Sequence, residues 1–385
     1  MLEGKSIICF AHDWDGDPTS KTHIMRILAR RNRVLWVNSI GMRRPRASGA
    51  DVRRLADKLR RGLGPSREVE PNLFVVNPLA LPLPGVALAD WLNTALIGAT
   101  LRSRARRHAI ERPILWTFLP TVHRLLGRLH ERLVVYHCVD EYSAFSGVSR
   151  AAVERMEREL VRRADVVLTS SQQLADERRP FNSNTHFVQH GVDVTHFARA
   201  ADPATEVPAE IRGLPRPVIG FHGLLAEWVD LDLVRKLADA RPTWSFVLIG
   251  KPASDLGAIA GAANVHLLGR KPYGTLPAYC RGFDAAIIPF RIDALTLRSN
   301  PLKMREYLAA GLPVVSTPLP EVARYSHLLH QALAPADFLI ALERALAERS
   351  PADVRRRMEA MRSESWEART EEMCALLDQR LEAAA

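Results

Sequence analysis

Short apolar runs rich in β-branched residues alternate along most of the chain with stretches whose apolar residues recur at helical spacing. The run KSIICFAHDWD ends in polar residues, SKTHIMRILARRN after it has a three-to-four-residue apolar period, and RVLWVNS returns to strand character. Further strand-like runs stand at NLFVVNP, PILWTFLP, LVVYHCVD and ADVVLTSS, each followed by a helix-compatible stretch, and THFVQHGVD closes this half. A polar, proline-containing segment, ARAADPATEVPAEIRGLPRP, reads as a linker. The pattern then restarts, with PVIGFHG, WSFVLIG, NVHLLG, FDAAIIPF and LPVVST as strands and DLDLVRKLADA, GTLPAYCRG and NPLKMREYLAAG as helices. Such alternation predicts an α/β protein with two doubly wound, Rossmann-like parallel sheets. The expected division is residues 1–200, residues 201–362, and a C-terminal helix over 363–385 that packs back on the first domain.

A length of 385 residues suits two domains. No stretch reaches the roughly 18 uninterrupted apolar residues of a membrane span, and the start carries acidic residues at once with no small-residue cleavage site, so the expected compartment is the cytoplasm. Cys9, Cys138, Cys280 and Cys374 form no CxxC pair and read as buried thiols. A formal charge of +10 calls for an anionic partner. The basic runs RRNR, MRRPR, DVRRLADKLRRGLGPSR and LRSRARRH all lie before residue 110. In the third, Val52, Leu55, Leu59 and Leu63 recur at helical spacing among arginines, which fits either a helix lying on an anionic membrane surface or a solvated helix with its stripe in the core. Aromatic residues, 6% of the chain, are not interleaved with these runs, which argues against nucleic acid.

In doubly wound sheets ligands sit beyond the carboxyl ends of the strands, so chemistry is sought just after each strand. That position holds His12, Asp13, Trp14 and Asp15 after the first strand, and His137 at the end of LVVYHC with Asp140 and Glu141 after it. In the second half it holds Gly223, Glu227, Lys251, Arg270 and the segment Arg298 to Glu306. Asp13 and the His137/Asp140 pair are the acid–base candidates, while His12, Trp14, Asp15 and Glu141 are candidates for contacting an acceptor. The spacing Asp13-x-Asp15-x-Asp17 is no calcium loop, because Pro18 and Ile24 stand where glycine and glutamate are required; no metal is expected. GxGxxG, Walker and GxSxG signatures are absent after the strands, which removes support for nicotinamide, P-loop and hydrolase chemistry.

The segment RSNPLKMREYLAAGLPVVST carries the most. Asn300 reads as an N-cap and Pro301 as the first helical residue, so the helix opens at a defined place with free N–H groups suited to a phosphate. Lys303 adds a point charge for a diphosphate, and Glu306 lies on nearly the same face. A carboxylate beside a phosphate is tolerated when it accepts hydrogen bonds from neighbouring hydroxyls, as a ribose diol offers. An ordinary surface Lys and Glu fit the same pattern.

With FDAAIIPF and NVHLLGRKPYGTLPAYC before it, this segment resembles the donor-binding region of bacterial GT-B glycosyltransferases of the family 4 type. FAHDWDGDPTSK, RVLWVNSIG and VVYHCVDEYSAF are similar to a subgroup acting in cell-surface polysaccharide synthesis of the teichuronic-acid type. The resemblance implies a GT-B fold, two Rossmann-like domains facing across a cleft, and transfer of a sugar from a nucleotide diphosphate sugar, UDP- or GDP-linked, to a lipid-linked or polysaccharide acceptor at the inner face of the membrane. No other cofactor is implied. Glu306 would hold the ribose, Lys303 and the helix start from Asn300, Pro301 and Leu302 would face the diphosphate, and Arg270 to Tyr273 would lie beside the base. QHGVDVTHF would be the hinge, with His190 where the family has Asn. Two positions depart from the family: Arg298 stands where a sugar-contacting glutamate is usual, and GLLAEWVD where an Arg and a Lys are usual; Arg298 would then supply a phosphate contact. A nucleotide-sugar epimerase and a non-catalytic nucleotide-sugar-binding protein are the alternatives on the same fold.

Overall fold

The structure is a computed structural model that describes residues 1–39, 64–78 and 87–383. The basic stretch containing Val52 to Leu63 lies outside the described residues. Two compact units divide the chain: Met1–Gln189 with Arg369–Ala385, and His190–Ala368. The second unit begins eleven residues earlier than the expected boundary, because Val192, Phe197 and Ala200 belong to its core. Its last residues also hold this start in place. Val192 N–H donates to Glu364 O (2.9 Å), Trp366 N–H donates to Val192 O (3.3 Å), and a Cβ on Gly191 would stand 2.8 Å from the Trp366 backbone.

The first unit contains β1 (Ser6–Phe10), β2 (Arg33–Val37), β3 (Arg67–Glu70), β4 (Leu73–Val76), β5 (Ile114–Thr117), β6 (Leu133–Cys138), β7 (Val166–Thr169) and β8 (Thr185–Phe187). They form one sheet in the order β3-β4-β2-β1-β5-β6-β7-β8. All pairings are parallel except β3 on β4. That antiparallel edge was not foreseen: β3 reads REVE, and a polar, partly exposed edge strand lacks the apolar run by which the others are legible. The central strands are buried from end to end, as strands covered on both faces by helices must be.

The second unit contains β9 (Val218–His222), β10 (Ser245–Ile249), β11 (Val265–Gly269), β12 (Ala285–Ile288), β13 (Val314–Ser316) and β14 (His330–Gln331), in the order β11-β10-β9-β12-β13-β14 and parallel throughout. The expectation of two Rossmann-like sheets holds. Each sheet reverses its winding once, between β1 and β5 and between β9 and β12, and the carboxyl ends there are where such sheets take ligands. At the second point the backbone is crowded. A Cβ on Gly250 would lie 1.7 Å from the Gly223 carbonyl oxygen, and one on Gly220 would lie 2.1 Å from the Phe283 ring.

Candidate functional site

In the second unit β9 ends on His222, and Gly223 follows with φ 153°, a conformation that favours glycine. Gly223 N–H donates to Ile249 O (2.8 Å). The Lys303 side chain runs alongside, its Cε 3.3 Å from where a Gly223 Cβ would be. Lys303 belongs to the first turn of the helix Leu302–Ala309. Its Nζ lies 2.8 Å from Glu306 Oε2, and His222 Nδ1 lies 3.8 Å from the same oxygen. Gly223, Lys303 and Glu306, singled out from sequence, are thus brought together. The ion pair between Lys303 and Glu306 is local to one helix face, at the three-residue spacing that allows it.

The helix start differs from expectation. Pro301, with ψ 113°, occupies the cap position, and no side chain caps the helix. Asn300 is buried and its Oδ1 accepts from Arg305 Nη1 at 2.6 Å, so its side chain is held by the guanidinium. Arg305, fully buried, also donates to Tyr325 Oη (2.9 Å) and Glu364 Oε2 (3.3 Å). Sequence reading passed over it, yet it fixes the loop before the helix.

Lys251 and Arg270 are exposed after β10 and β11, and Arg298 is half-buried, donating to Ala294 O (2.8 Å). Tyr273 does not offer both ring faces: His196 stacks on one with centroids 4.5 Å apart, and Phe197 meets it edge-on.

His222 was also missed, although it is the last residue of a strand. It is 1% exposed, neither ring nitrogen has a hydrogen-bond partner among the described residues, and Tyr307 packs edge-on against it. Burial, and then the Lys303 charge, hold its pKa well below the ordinary value, so the ring behind Glu306 is neutral.

In the first unit, β1, β5 and β6 end side by side. His12 packs edge-on against Trp36, and burial followed by the Lys21 charge lowers its pKa to about 4. His137 is fully buried against Phe118, and the same two causes lower its pKa to about 3. Asp140 is half-buried; burial raises its pKa and Lys21 opposes the shift. Lys21, half-buried in the first turn of the helix Ser20–Ala29, was not among the candidates, though the strand-end argument reaches it one turn later.

Other acceptor candidates are occupied. Trp14, 9% exposed, packs edge-on against Trp36 while its N–H donates to Asn38 Oδ1, which makes it core. Asp15 is exposed and paired with Arg67 at 2.5 Å. Asp13 is exposed, and its Oδ1 accepts from Ser39 N–H. Glu141 is buried, with Arg178 Nη2 at 2.7 Å and Ser143 Oγ donating at 2.7 Å. Arg178 also bonds Glu157 (3.0 Å), whose other carboxylate oxygen accepts from Tyr136 Oη (2.6 Å). Two buried carboxylates sharing one guanidinium make Glu141 a structural residue rather than an acceptor contact.

Residues 216–348 match the family of group 1 glycosyl transferases. The chain carries a group 1 glycosyl transferase domain. That domain holds β9 to β14 and the Gly223, Lys303 and Glu306 cluster. The putative teichuronic acid biosynthesis glycosyltransferase TuaH of Bacillus subtilis (strain 168) is 27% identical over 258 residues, 62% of this chain and 64% of that protein. Similar solved structures include the sucrose-phosphate synthase of Thermosynechococcus elongatus (TM-score 0.71, 16% identity, 99% of this chain and 100% of that one). Another is Anabaena HepE in complex with UDP and glucose (TM-score 0.65, 14% identity, 97% and 99% covered). The fold is GT-B. Among the described residues no three His, Cys, Asp or Glu side chains gather as a metal site, and no helix is long and apolar enough to cross a membrane.

The buried imidazoles set a pH dependence. An unfolded histidine protonates near pH 6.5, whereas His137 in the fold does not until about pH 3, so between these values the unfolded chain binds the extra proton. Stability therefore rises with pH in this window and is lost on acidification, by about 1.4 kcal/mol per pH unit for one such group. Urea unfolding between pH 6 and 4.5 should show a slope shallower by about this amount in His137→Asn; a slope equal to wild type would mean that the native ring protonates freely.

Proposed function

We propose that this protein is a glycosyltransferase that moves a sugar from a nucleoside diphosphate sugar, UDP- or GDP-linked, to a lipid-linked or polysaccharide acceptor in cell-surface polysaccharide biosynthesis. The observation that carries the reading is the Lys303–Glu306 pair beside Gly223, at the winding reversal of the sheet in the glycosyl transferase domain. The complex of HepE with UDP and glucose, and the teichuronic acid assignment of TuaH, support the donor class and the acceptor class respectively.

In this reading the donor replaces the internal ion pair. Lys303 turns from Glu306 to a diphosphate oxygen, and Glu306, released, accepts the two ribose hydroxyls. The neutral His222 ring behind it adds no charge that would pull the carboxylate from the ribose. As the bond from the anomeric carbon to the diphosphate breaks, charge grows on the leaving oxygen. Lys303, with Arg298 as a second cation, stabilises that charge. On the acceptor side Asp140 takes the proton of the attacking hydroxyl, because a half-buried carboxylate of raised pKa is the stronger base. His137, buried and neutral, orients rather than charges. Asp13 is a weaker candidate, being exposed and already accepting from Ser39. Lys251, Arg270 and Tyr273 would border the base.

A peripheral contact with the inner face of the cytoplasmic membrane belongs to the same proposal. It rests on the basic runs before residue 110 and on a lipid-linked acceptor. Sedimentation with vesicles should show binding to phosphatidylglycerol-containing but not to neutral vesicles at low salt; equal partition to both would remove the membrane contact.

Transfer is tested by following nucleoside diphosphate release from a panel of nucleotide sugars in the presence of bacterial membrane lipids and glycan extract. Release should depend on the added extract, and Asp140→Asn should lower turnover about 100-fold or more while nucleotide affinity stays unchanged. Conversion of the sugar nucleotide to an isomer in buffer alone would instead establish an epimerase.

A further inference from the structure

Lys21 has no part in the mechanism above, and its surroundings are unusual for an ammonium. Its Nζ lies 3.4 Å from Tyr142 Oη, and 5.8 Å and 5.9 Å from the ring centroids of Phe118 and Tyr142. Aromatic faces attract a cation but do not neutralise it. The Cys9 and Cys138 thiols nearby are kept protonated by burial. Asp140 acts on Lys21 through space, yet among the described residues no carboxylate reaches ion-pair distance of it.

Around this ammonium stand two unsatisfied imidazoles. The His137 ring packs at 4.9 Å on Phe118, the ring that Lys21 also faces, and is fully buried with neither nitrogen partnered among the described residues. The His12 ring, at the end of β1, likewise has neither nitrogen partnered. The charge of Lys21 acts on both rings and helps keep them neutral. A neutral imidazole brings one N–H donor and one acceptor nitrogen, and an ammonium brings three donors and no acceptor, so donors outnumber acceptors among these three side chains. The complementary ligand group is an anion with several acceptor oxygens. Donors arriving from three elements, the end of β1, the end of β6 and the helix Ser20–Ala29, suit a tetrahedral phosphoryl group better than a planar carboxylate.

We propose that the carboxyl ends of β1, β5 and β6 form a phosphoryl-binding site in which Lys21 supplies the charge and His12 and His137 supply hydrogen bonds. Asp140 stands beside the bound group, where a hydroxyl of the same ligand can reach it. The phosphoryl group comes either from the acceptor or from the nucleotide donor. Only this question of its carrier rests on the glycosyl-transfer reading; anion binding stands apart from it.

The test uses the full chain labelled with 15N-histidine, the His12 and His137 ring signals being assigned from His12→Gln and His137→Asn. Titration with inorganic phosphate should move both signals saturably in wild type and leave the signal of His330, paired with Glu348 in the other unit, in place. Lys21→Arg should retain the response and Lys21→Met should lose it. Signals of His12 and His137 that stay still in wild type, or that move equally in Lys21→Met, would overturn the proposal. The wild-type arm decides even if a variant fails to fold. Titration with UDP then separates the two sources. Weakening of UDP binding tenfold or more in Lys21→Met assigns the group to the donor. Unchanged UDP binding with the phosphate response lost assigns it to the acceptor.

Discussion

The end of β9 depends on how closely it can approach the end of β10. Gly250 has no side chain, and the Gly223 carbonyl oxygen occupies the place where a Cβ would be, 1.7 Å from it. This contact fixes the turn at Gly223, whose φ of 153° leaves the backbone bare on the side where the Lys303 stem passes. Lys303 in turn meets Glu306, and Glu306 is backed by His222, the last residue of β9. The pair is therefore positioned by backbone packing at the winding reversal, with Arg305 holding the preceding loop through Asn300.

Both units place charged groups at strand ends, and both keep the adjacent histidines neutral. In the second unit the charges are mutually satisfied, Lys303 against Glu306, so under the proposed function a donor must offer each of them a better partner. The first unit is different, since Lys21 has rings and a hydroxyl around it instead of a contacting carboxylate. Buried polar groups that the fold itself does not satisfy point to ligands, whereas Glu141, equally buried, is fully engaged by Arg178 and Ser143 and points to stability.

Much of this was legible before any coordinates. Alternating apolar runs and helical periods define both sheets, because parallel strands buried on both faces cannot hide their composition. Asn300 to Glu306 and the residues after β1 and β6 followed from the strand-end rule. What stayed hidden depends on tertiary pairing. REVE pairs as an edge strand without an apolar signal, Trp14 turns into the core to meet Trp36, and Glu141 finds Arg178 37 residues away. His222 and Lys21 carried a positional signal that went unread. Arg305 carried none, since a buried arginine in a helix resembles a surface one until its partners Asn300, Tyr325 and Glu364 are known.

The central claim, that the helix Leu302–Ala309 presents Glu306 to a nucleotide, is tested most directly by calorimetric titration of UDP, GDP, ADP, TDP and CMP into wild type and Glu306→Ala. The account requires one nucleoside diphosphate to bind preferentially and to bind at least about tenfold more weakly in the variant, as expected for losing hydrogen bonds to a charged group. Equal affinity in the two proteins, or no binding by either, would contradict it.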